Sequence, residues 1–399
     1  MRQSVSRILT THVGSLPRSS AVTDVVFGLE KGLDVPRDKF VEVIGTAVMD
    51  VVRKQASVGV DIVSDGEMSK ISYATYIKDR LTGFDGDSSR DPPRDLQDFP
   101  AYLKKQAASG GTPTYRRPRC VGPIAAKSSQ PLHDDLRFFR DALAADEARM
   151  VVSEGFMNAA SPGVIALFQP NDHYPDHEAY LRALADAMRP EYEAIVAAGF
   201  VLQIDSPDLG LGGHTLFKNR PLPEYQRLAN LHVEVLNEAL RNCPADRVRL
   251  HICWGNYEGP HHHDLPMEVV LPIALRAKPQ ALLFESANPR HAHEWTVFRD
   301  TAIPDDKILV PGVIDSVSNF IEHPLLVAER LQRFADVVGR ERVIAGTDCG
   351  FSTFAGFGAV DSDIVYAKLA TLAAGAQIVS DRLWRRQPQN GTAPGRVSP

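Results

Sequence analysis

Two of the four cysteines in the sequence lie where metal ligands would be expected. His251 and Cys253 are two residues apart at the end of a mostly apolar run, and Cys349 ends a later run. Residues two apart in a β-strand point to the same face of the sheet, so an imidazole and a thiol would project side by side. Glu285 ends a further apolar run. If these strand ends meet, one His, two Cys and one carboxylate form a plausible tetrahedral zinc set, and zinc with two thiolates suits thiol chemistry.

Eight short apolar runs have the length and composition of buried strands. They are residues 8–14, 60–66, 162–168, 200–205, 248–253, 280–285, 308–315 and 342–348. Stretches with helical spacing of apolar residues lie among them, at 40–58, 180–198, 225–241, 323–338 and 361–382. Strands that alternate with helices indicate a parallel sheet, so the predicted fold class is α/β. Eight such units favour a single (β/α)8 TIM barrel over the alternative, an open doubly wound sheet.

Two segments fall outside this alternation. Residues 84–114 are rich in Asp, Arg, Pro and Gly, which predicts a long insertion after the second β/α unit. Residues 119–126 have the character of a strand, which we expect to form a hairpin over the mouth of the barrel. The barrel would then occupy residues 1–385. The polar residues 386–399, with Pro and Gly, predict a disordered tail.

Further polar residues lie at the ends of the predicted strands. In (β/α)8 barrels the reacting groups come from the carboxyl ends of the strands and the loops that follow them. Gly14 and Ser15 follow the first run, Glu67 follows the second and Asp205 ends the fourth. Polar side chains buried without partners inside a strand would be strongly destabilising. The placement of these residues at the ends of the runs therefore favours a site at the barrel mouth, although Glu67 and Asp205 also fit a structural ion pair there.

The composition argues against several classes of protein. With 399 residues, a net charge of −6 and no long cluster of Lys or Arg, the chain lacks the footprint of a nucleic-acid-binding protein. So few cysteines do not make a disulfide framework, which favours the reducing cytoplasm. The N-terminus lacks the apolar core of a signal peptide, and no run of about 18 apolar residues predicts a membrane span. The expected partners are a small-molecule thiol and an alkyl donor, without nucleic acid or a membrane.

Taken in order along the chain, these motifs resemble those of the catalytic barrel of cobalamin-independent methionine synthases. The resemblance runs from about Thr10 to about Trp384. It rests on VGSLPR at 13–18, DGE at 65–67, QID at 203–205, HIC at 251–253, FE at 284–285, PGVID at 311–315 and TDCG at 347–350. The zinc ligands that it implies are His251, Cys253, Glu285 and Cys349. The substrate contacts that it implies are Glu67 and Asp205 for the amino group of homocysteine, and Gly14 and Ser15 for its carboxylate.

The chain departs from that family in two respects. It has room for a single barrel, whereas the folate-dependent enzymes carry a second one. Residues 316–319 (SVSN) also lack the histidine that the family places after this strand. The methyl donor is therefore open, and the superfamily also contains epoxyalkane:coenzyme M transferases, which add a thiol to an epoxide. A sulfonate thiol would require a cation, for which Arg18 and Lys70 are the candidates.

The function predicted from the sequence is zinc-dependent alkyl transfer to a thiol, most closely methyl transfer from 5-methyltetrahydropteroyltriglutamate to homocysteine. The alternatives are an epoxyalkane:coenzyme M transferase and a metal-dependent hydrolase, which two Cys ligands disfavour. Glu285, Asp205 and Glu67 are the expected catalytic residues, and Glu285 is the weakest ligand, which would yield to the thiol. His291, His293 and the triplet 261–263 are candidate proton donors, and the triplet is also a candidate second metal site.

Overall fold

The computed structural model describes residues 1–89, 91–108 and 116–384 of the chain. The strands are β1 (Leu9–Thr10), β2 (Ile62–Ser64), β3 (Phe84–Asp85), β4 (Arg119–Cys120), β5 (Glu154–Ala160), β6 (Val201–Asp205), β7 (Val248–His251), β8 (Ala281–Phe284), β9 (Ile308–Pro311) and β10 (Ile344–Ala345). The helices are α1 (Ser20–Glu30), α2 (Arg37–Ser57), α3 (Ile77–Arg80), α4 (Arg94–Gln97), α5 (Pro100–Ala108), α6 (Gln130–Ala144), α7 (Asp146–Arg149), α8 (Pro162–Phe168), α9 (His177–Ala197), α10 (Leu222–Ala239), α11 (Met267–Ala274), α12 (Trp295–Asp300), α13 (Pro324–Val338) and α14 (Ser362–Trp384). The tail predicted at 386–399 lies outside the described residues.

A curled parallel sheet forms the centre of the molecule. Six strands are hydrogen-bonded in the order β2-β5-β6-β7-β8-β9, and β1 pairs with β10 in a second parallel ladder. Two single parallel bridges, Leu309 with Val343 and Gly312 with Gly346, connect the end of β9 to the β10 segment. Near β2, the N–H of residue 61 donates to the carbonyl of residue 10 in β1 at 3.2 Å. This TIM-like arrangement confirms the predicted α/β class and its parallel sheet.

Alternating side chains of the strands contribute to two separate apolar cores. In β8, Ala281 and Leu283 belong to a small cluster enclosed by the strands, while Leu282 and Phe284 belong to the larger cluster that includes the helices. Fully burying one such side chain stabilises the fold by about 1.5–3 kcal/mol. Because side chains alternate along a strand, Glu285, the residue that follows β8, lies on the same side of the sheet as Leu283.

The outer helices each bury one face against the sheet. Val48 and Val52 lie one turn apart in α2, and Leu184 and Met188 do so in α9; all four are at most 2% exposed. This spacing is the one-sided pattern of a helix on a core. Asp176 caps the N-terminus of helix α9, since its side chain accepts a hydrogen bond from the N–H of residue 179. The helices predicted at 40–58 and 180–198 are thus confirmed to within a few residues.

The third strand of the sheet lies earlier than predicted. Residues 162–168 were predicted as a strand but form helix α8, and the strand is β5, directly before them. Ser161 caps α8, since its side chain accepts a hydrogen bond from the N–H of Val164 at 2.9 Å. Pro162 occupies the first turn, where its missing N–H has no helical partner to lose. A short apolar run has no period that separates a buried strand from a buried helix, so the Ser-Pro cap was the decisive signal.

The segment predicted as a long insertion contains ordered elements of its own. β3 and β4 pair antiparallel, so residues near 84 meet residues near 119. Between them, α4 and α5 lie in the described range 91–108. Helix α6, which packs on α2, follows these elements in the sequence. The insertion after a complete second β/α unit therefore stays a prediction. In the described ranges, no helix is long and apolar enough to cross a membrane.

Candidate active site

A buried cluster of one imidazole and two thiols lies at the carboxyl ends of the parallel strands. The ligand atoms of His251, Cys253 and Cys349 all lie within 4.8 Å of one another. The Sγ of Cys349 is 3.7 Å from the Nε2 of His251. All three residues are at most 5% exposed. The structure thus brings together three of the four residues that the sequence predicted as metal ligands.

The chain reaches this cluster from two strands. β7 ends at His251, and the N–H of Ile252 then donates to the carbonyl of Leu283 at 3.0 Å, which keeps Cys253 beside the end of β8. Cys349 lies beyond β10 in a turn, where the hydroxyl of Thr347 donates to the carbonyl of Cys349 at 2.9 Å. His251 and Cys253 reach the same point, as their spacing predicted, although the regular strand ends at His251.

The cluster requires positive charge before its thiols can ionise. A hydrogen bond with Cys253, together with burial, raises the pKa of Cys349 well above its usual value. Two buried thiols in contact cannot both become thiolates unless a cation offsets their charge. A divalent metal would supply that charge, and a donor set of two sulfurs and one imidazole is typical of zinc.

Glu285, the fourth predicted ligand, lies beside the cluster rather than within the tight group. Its buried carboxylate accepts hydrogen bonds from the N–H of Trp254 at 2.8 Å and from the side-chain amide of Asn288 at 2.7 Å. Burial raises the pKa of Glu285. Asp348 holds the loop that follows, since it accepts hydrogen bonds from the backbone N–H groups of residues 286–288, each at 2.8 Å. Asp348 therefore supports the loop that follows Glu285.

Asp205 connects the cluster to the polar residues inside the sheet. It is the register partner of His251 on the neighbouring strand. Its Oδ1 lies 3.2 Å from the Nδ1 of His251 and accepts a hydrogen bond from Gln203 at 2.8 Å, while its Oδ2 accepts one from Asn158 at 2.9 Å. A carboxylate behind an imidazole fixes the orientation of the ring and leaves its second nitrogen for an ion. Asp205 thus has the geometry of a residue that positions His251.

Glu67 combines an unusual backbone conformation with an unpaired carboxylate oxygen. Its φ is 56°, in the left-handed region that such a residue rarely adopts. The residue is 2% exposed, and its Oε2 has no hydrogen-bond partner among the described residues. Burial raises the pKa of Glu67 to about 7, although Lys70 acts against this rise. A strained residue with an orphaned oxygen on a cavity wall is typical of a ligand contact.

Gly14 allows the side chain of Asn158 to approach the backbone closely at the site. Its φ is +136°, and a Cβ at this position would lie 2.2 Å from the Oδ1 of Asn158. Glycine alone avoids both the strain and the collision. Ser15 follows it on the cavity wall, where its Oγ accepts a 3.4 Å hydrogen bond from the N–H of Ser352. The hydroxyl hydrogen of Ser15 can therefore point to an acceptor on a ligand.

Asn158 and Arg249 belong to the polar interior, and the sequence analysis missed both. Asn158 donates to the carbonyl of Val13 at 2.8 Å, and its Oδ1 has no partner in the described part of the chain. Arg249 is 1% exposed and donates to Gln203 at 2.8 Å and to the carbonyl of His12 at 2.9 Å. Each is a polar residue within an apolar run, where side chains alternate between the two faces of the strand. This pattern could have identified both residues as part of the polar interior.

The histidines proposed as proton donors occupy different environments. His261 and His291 lie 2.8 and 3.0 Å from the same oxygen of Asp264. Burial is the largest single influence and disfavours their charged forms, but the hydrogen bond with Asp264 and the charges of nearby carboxylates together outweigh it. They raise the pKa of His261 to about 9 and that of His291 to about 10. His261 lines the cavity, whereas His293 is exposed. The second ring nitrogen of His261 lies 3.0 Å from the carbonyl of Tyr257, so this ring supplies charge rather than a free proton.

These groups open into one large cavity of about 1900 Å³. Its inner wall includes Ser15, Glu67, Asp205, His251, Cys253, Glu285 and Cys349. Its outer wall comes from parts of three segments, 91–106, 255–261 and 315–320. Pockets for one small ligand usually occupy about 300–1,000 Å³, so this cavity has room for two substrates.

Relatives of known name match almost the whole chain. No family model matches the sequence. The methionine synthase of Saccharolobus solfataricus is 24% identical over 383 residues, which cover 94% of this chain and 96% of the relative. The methionine synthase of Sulfolobus acidocaldarius is 23% identical over 396 residues, which cover 98% of each chain.

A solved structure shares the fold over the same extent. It is the B12-independent methionine synthase from Shewanella sp. W3-18-1 in complex with selenomethionine, with a TM-score of 0.72 and 20% sequence identity. The match covers 94% of this chain and 99% of that one. By its sequence relatives, the order of its motifs and its fold, the chain is similar to the cobalamin-independent methionine synthases over almost its whole length.

Proposed function

We propose that this protein transfers a methyl group to the thiol of homocysteine with the help of a bound zinc ion. The observation that carries the proposal is the buried His251, Cys253 and Cys349 cluster, beside two carboxylates in one cavity. The relatives from Saccharolobus solfataricus and Sulfolobus acidocaldarius, both named methionine synthases, support the same reaction for this chain.

The strands would hold the site as one closed barrel. In this proposal β1, β2 and β5 to β10 form a (β/α)8 barrel within a single domain of residues 1–385. The parallel bridges from β9 to the β10 segment and the pairing of β1 with β10 support this closure. Closure would explain why ligands from β7, β8 and β10 converge, since the carboxyl ends of the strands in such a barrel share one mouth.

Zinc would be held by His251, Cys253 and Cys349, with Glu285 as the fourth ligand. The donors fit this ion because two sulfurs and an imidazole are common zinc ligands and Asp205 already orients the imidazole. When bound, zinc would lower the pKa of a thiol substrate, so that the sulfur is in its nucleophilic thiolate form at neutral pH. Glu285 is the hardest donor and has hydrogen-bond partners of its own, which supports its role as the ligand that yields.

Glu67 and Asp205 would hold the ammonium group of homocysteine. The orphaned Oε2 of Glu67 would gain a donor, and the positive charge would favour the ionised form of a carboxyl whose pKa burial has raised. Ser15 would donate its hydroxyl hydrogen to the substrate carboxylate, while Gly14 leaves room for the chain to turn there. Holding both ends of the amino acid would fix the sulfur near the cluster, and such positioning accounts for much of a transfer rate.

The surroundings favour an amine-bearing thiol over coenzyme M, the sulfonate alternative. The guanidinium of Arg18 donates to the carbonyls of Glu67, Lys70 and Ser352. The Nζ of Lys70 donates to the carbonyl of Asn158 at 2.6 Å. Both cations considered for a sulfonate are therefore engaged by backbone, and neither lines the cavity.

The methyl donor would enter through the outer part of the cavity. We propose 5-methyltetrahydropteroyltriglutamate, because Lys105, Arg117 and Arg290 line the cavity and their charges complement a chain of glutamates. The stretch 316–319 supplies no imidazole there, and His261 has both ring nitrogens engaged. A proton for the leaving group would then come from solvent in the open cavity rather than from this histidine.

Zinc analysis and thiol calorimetry on the purified, reduced protein test the proposal. We expect zinc in the cysteine cluster, homocysteine binding that releases a proton, and methionine formation from the folate donor. Coenzyme M should bind at least about tenfold more weakly, since about 1.4 kcal/mol of ammonium contact is lost. A protein that neither contains nor accepts zinc would overturn the proposal, and turnover of an epoxide with coenzyme M would replace it with the transferase alternative.

A further inference from the structure

A second group of side chains that could hold a metal ion lies beside the outer wall of the cavity, at what we call its rim, apart from the cysteine cluster. Asp98 follows helix α4, and His262 and His263 lie in the loop between β7 and α11. One ligand atom from each lies within 4.8 Å of the other two. The Nε2 atoms of His262 and His263 are 2.9 and 2.6 Å from the same oxygen, the Oδ2 of Asp98.

We propose that Asp98, His262 and His263 form a second metal site, which binds a divalent transition-metal ion such as Zn²⁺. Two imidazoles and a carboxylate are the protein donors of zinc sites that keep a position open for water. Neighbouring ligands of a tetrahedral zinc, each about 2.0–2.1 Å from the ion, lie about 3.3 Å apart. Each imidazole nitrogen, now 2.9 or 2.6 Å from the Asp98 oxygen, needs to move away from that oxygen by only about half an ångström to reach this spacing. The His262 and His263 side chains are 37% and 26% exposed, which leaves them free to make this shift.

The loop lets two consecutive histidines face one ion. In a regular helix or strand, neighbouring side chains diverge. Here the turn begins at His261, whose φ is 52°, and the rings of His262 and His263 lie 4.2 Å apart at their centroids. The ring of His262 also packs edge-on against Phe99 at 5.5 Å. The sequence suggested the whole triplet, but His261 is turned toward Asp264, so a pair of histidines with Asp98 makes the site.

The charge of Asp98 suits a cation. Its carboxylate oxygen lies 2.9 and 2.6 Å from the two imidazole nitrogens, so an ion between them would have a negatively charged donor beside two imidazole donors. Two neutral imidazoles and one carboxylate leave a bound divalent ion with a net charge of +1, which the open side exposes to water. Imidazole donors select zinc, nickel or copper over magnesium or calcium.

A metal here would connect two segments that line the same cavity. Asp95 in α4 already accepts hydrogen bonds from the hydroxyl of Tyr257 at 2.9 and 2.8 Å. Tyr102 in α5 donates to the carbonyl of Glu258 at 2.8 Å. An ion at Asp98 would replace its two hydrogen bonds to His262 and His263 with bonds to a metal at the outer edge of this contact. The bound ion would therefore hold the α4–α5 wall against the loop over the entrance to the cavity.

Zinc stoichiometry separates the two sites. Metal-free wild-type protein should bind two equivalents of Zn²⁺, whereas the double variant H262N/H263N should bind one. Cys349→Ser should also leave one equivalent, and the combined variant should bind none. His133→Asn is the matched control, because His133 is an exposed histidine of α6 remote in sequence from both sites, and it should retain two equivalents.

Cobalt substitution and proteolysis give readouts that do not depend on activity. The sulfur-to-metal absorption of Co²⁺ should persist in H262N/H263N and disappear in Cys349→Ser, which also shows that the rim variant is folded. Zinc should slow tryptic cleavage after Lys104 and Lys105 in wild type but not in H262N/H263N. If H262N/H263N still bound two equivalents of zinc, or if His133→Asn lost one, the second equivalent would be an adventitious ion only. Either result would overturn the proposed rim site. A failure of the cysteine site would appear separately as loss of the sulfur band.

Discussion

The cysteine cluster and the rim site present imidazoles on very different supports. His251 ends a parallel strand, is 4% exposed and is backed by Asp205. His262 and His263 lie in a loop, share the single carboxylate of Asp98 and remain partly exposed. Paired strands fix donor positions before an ion arrives, whereas a loop loses conformational freedom when it binds one. The difference teaches that support and burial, rather than the number of histidines, decide which site can hold an ion tightly enough for chemistry.

The largest effect should follow from removing one sulfur of the buried cluster. Cys349→Ser replaces a soft ligand with a hydroxyl that keeps its proton, so zinc affinity should fall by more than ~100-fold, since loss of even an outer partner typically causes 10–100-fold. Methyl transfer should fall in parallel because no thiolate forms. Zinc analysis after desalting and initial rates of methionine formation measure the two effects.

Cys243→Ser is the matched control for that substitution. Cys243 is also buried, at 1% exposure, but is not part of the metal-ligand groups of the described residues. It should retain the buried zinc and nearly full activity. Equal zinc loss in both variants would indicate a general effect of placing a hydroxyl in the core, and the proposed ligand set would then be wrong.

The next largest effect should come from Gly14→Ala, beside the buried site. A Cβ at Gly14 would lie 2.2 Å from a side-chain atom of Asn158, in addition to the strain of φ +136°. We expect the free energy of unfolding to fall by about 3 kcal/mol or more, and homocysteine binding to weaken. Gly32→Ala is the control, since its φ is +71° but a Cβ there meets no atom within 4 Å. Strain alone should lower its free energy of unfolding by about 1 kcal/mol. If Gly14→Ala and Gly32→Ala lost equal free energy of unfolding in urea titrations, the close approach to Asn158 would not contribute to stability.

The sequence predicted the buried site better than the elements around it. His251 and Cys253 followed from a period of two, and Glu67 and Asp205 from polar residues at strand ends. The third strand was misplaced because an apolar run carries no local period, and Asn158 was lost with it. The rim site was not predicted in full, because Asp98 is far in sequence from the loop that contains His262 and His263. The local spacing of residues gives no information about such a long-range contact.

A smaller, pH-dependent effect should distinguish Glu67 from the rest of the site. Burial raises the pKa of Glu67 to about 7, so its carboxylate protonates as the pH falls through neutrality. Homocysteine affinity should therefore decrease by up to about tenfold per pH unit below pH 7. Glu67→Gln should bind homocysteine more weakly at pH 8 and should keep only the pH dependence that the proton released by the thiol imposes on both proteins. Calorimetry between pH 6 and 8 measures both, and an unchanged slope in the variant would assign the titration to another group.

The stability of the ligand-free protein should respond in the opposite direction. The folded-state pKa of Glu67 lies above its ordinary value of 4.5, so the folded state is favoured while the group is protonated. That contribution is present at low pH and is lost as the pH rises through about 7. Glu67→Gln should remove this loss, so its thermal midpoint should fall less than that of wild type between pH 5 and 8. A parallel fall in both proteins would contradict the assignment.

The smallest effect on stability should come from removing one hydrogen bond at the rim. Removing one in the interior should have a larger effect. Tyr102→Phe removes a donor to the carbonyl of Glu258, but the side chain of Gln106 donates to the same carbonyl, and the site is exposed. The free energy of unfolding should fall by less than about 1 kcal/mol, and two equivalents of zinc should still bind. Tyr76→Phe removes the same atom in the interior, where the hydroxyl donates to Glu191 at 2.7 Å and the residue is 3% exposed. Leaving a buried carboxylate short of a donor should lower the free energy of unfolding by about 1–3 kcal/mol. Equal losses in urea titrations of the two variants would remove the contrast between a fixed interior and an adaptable rim, because the rim would then be held as firmly as the strands.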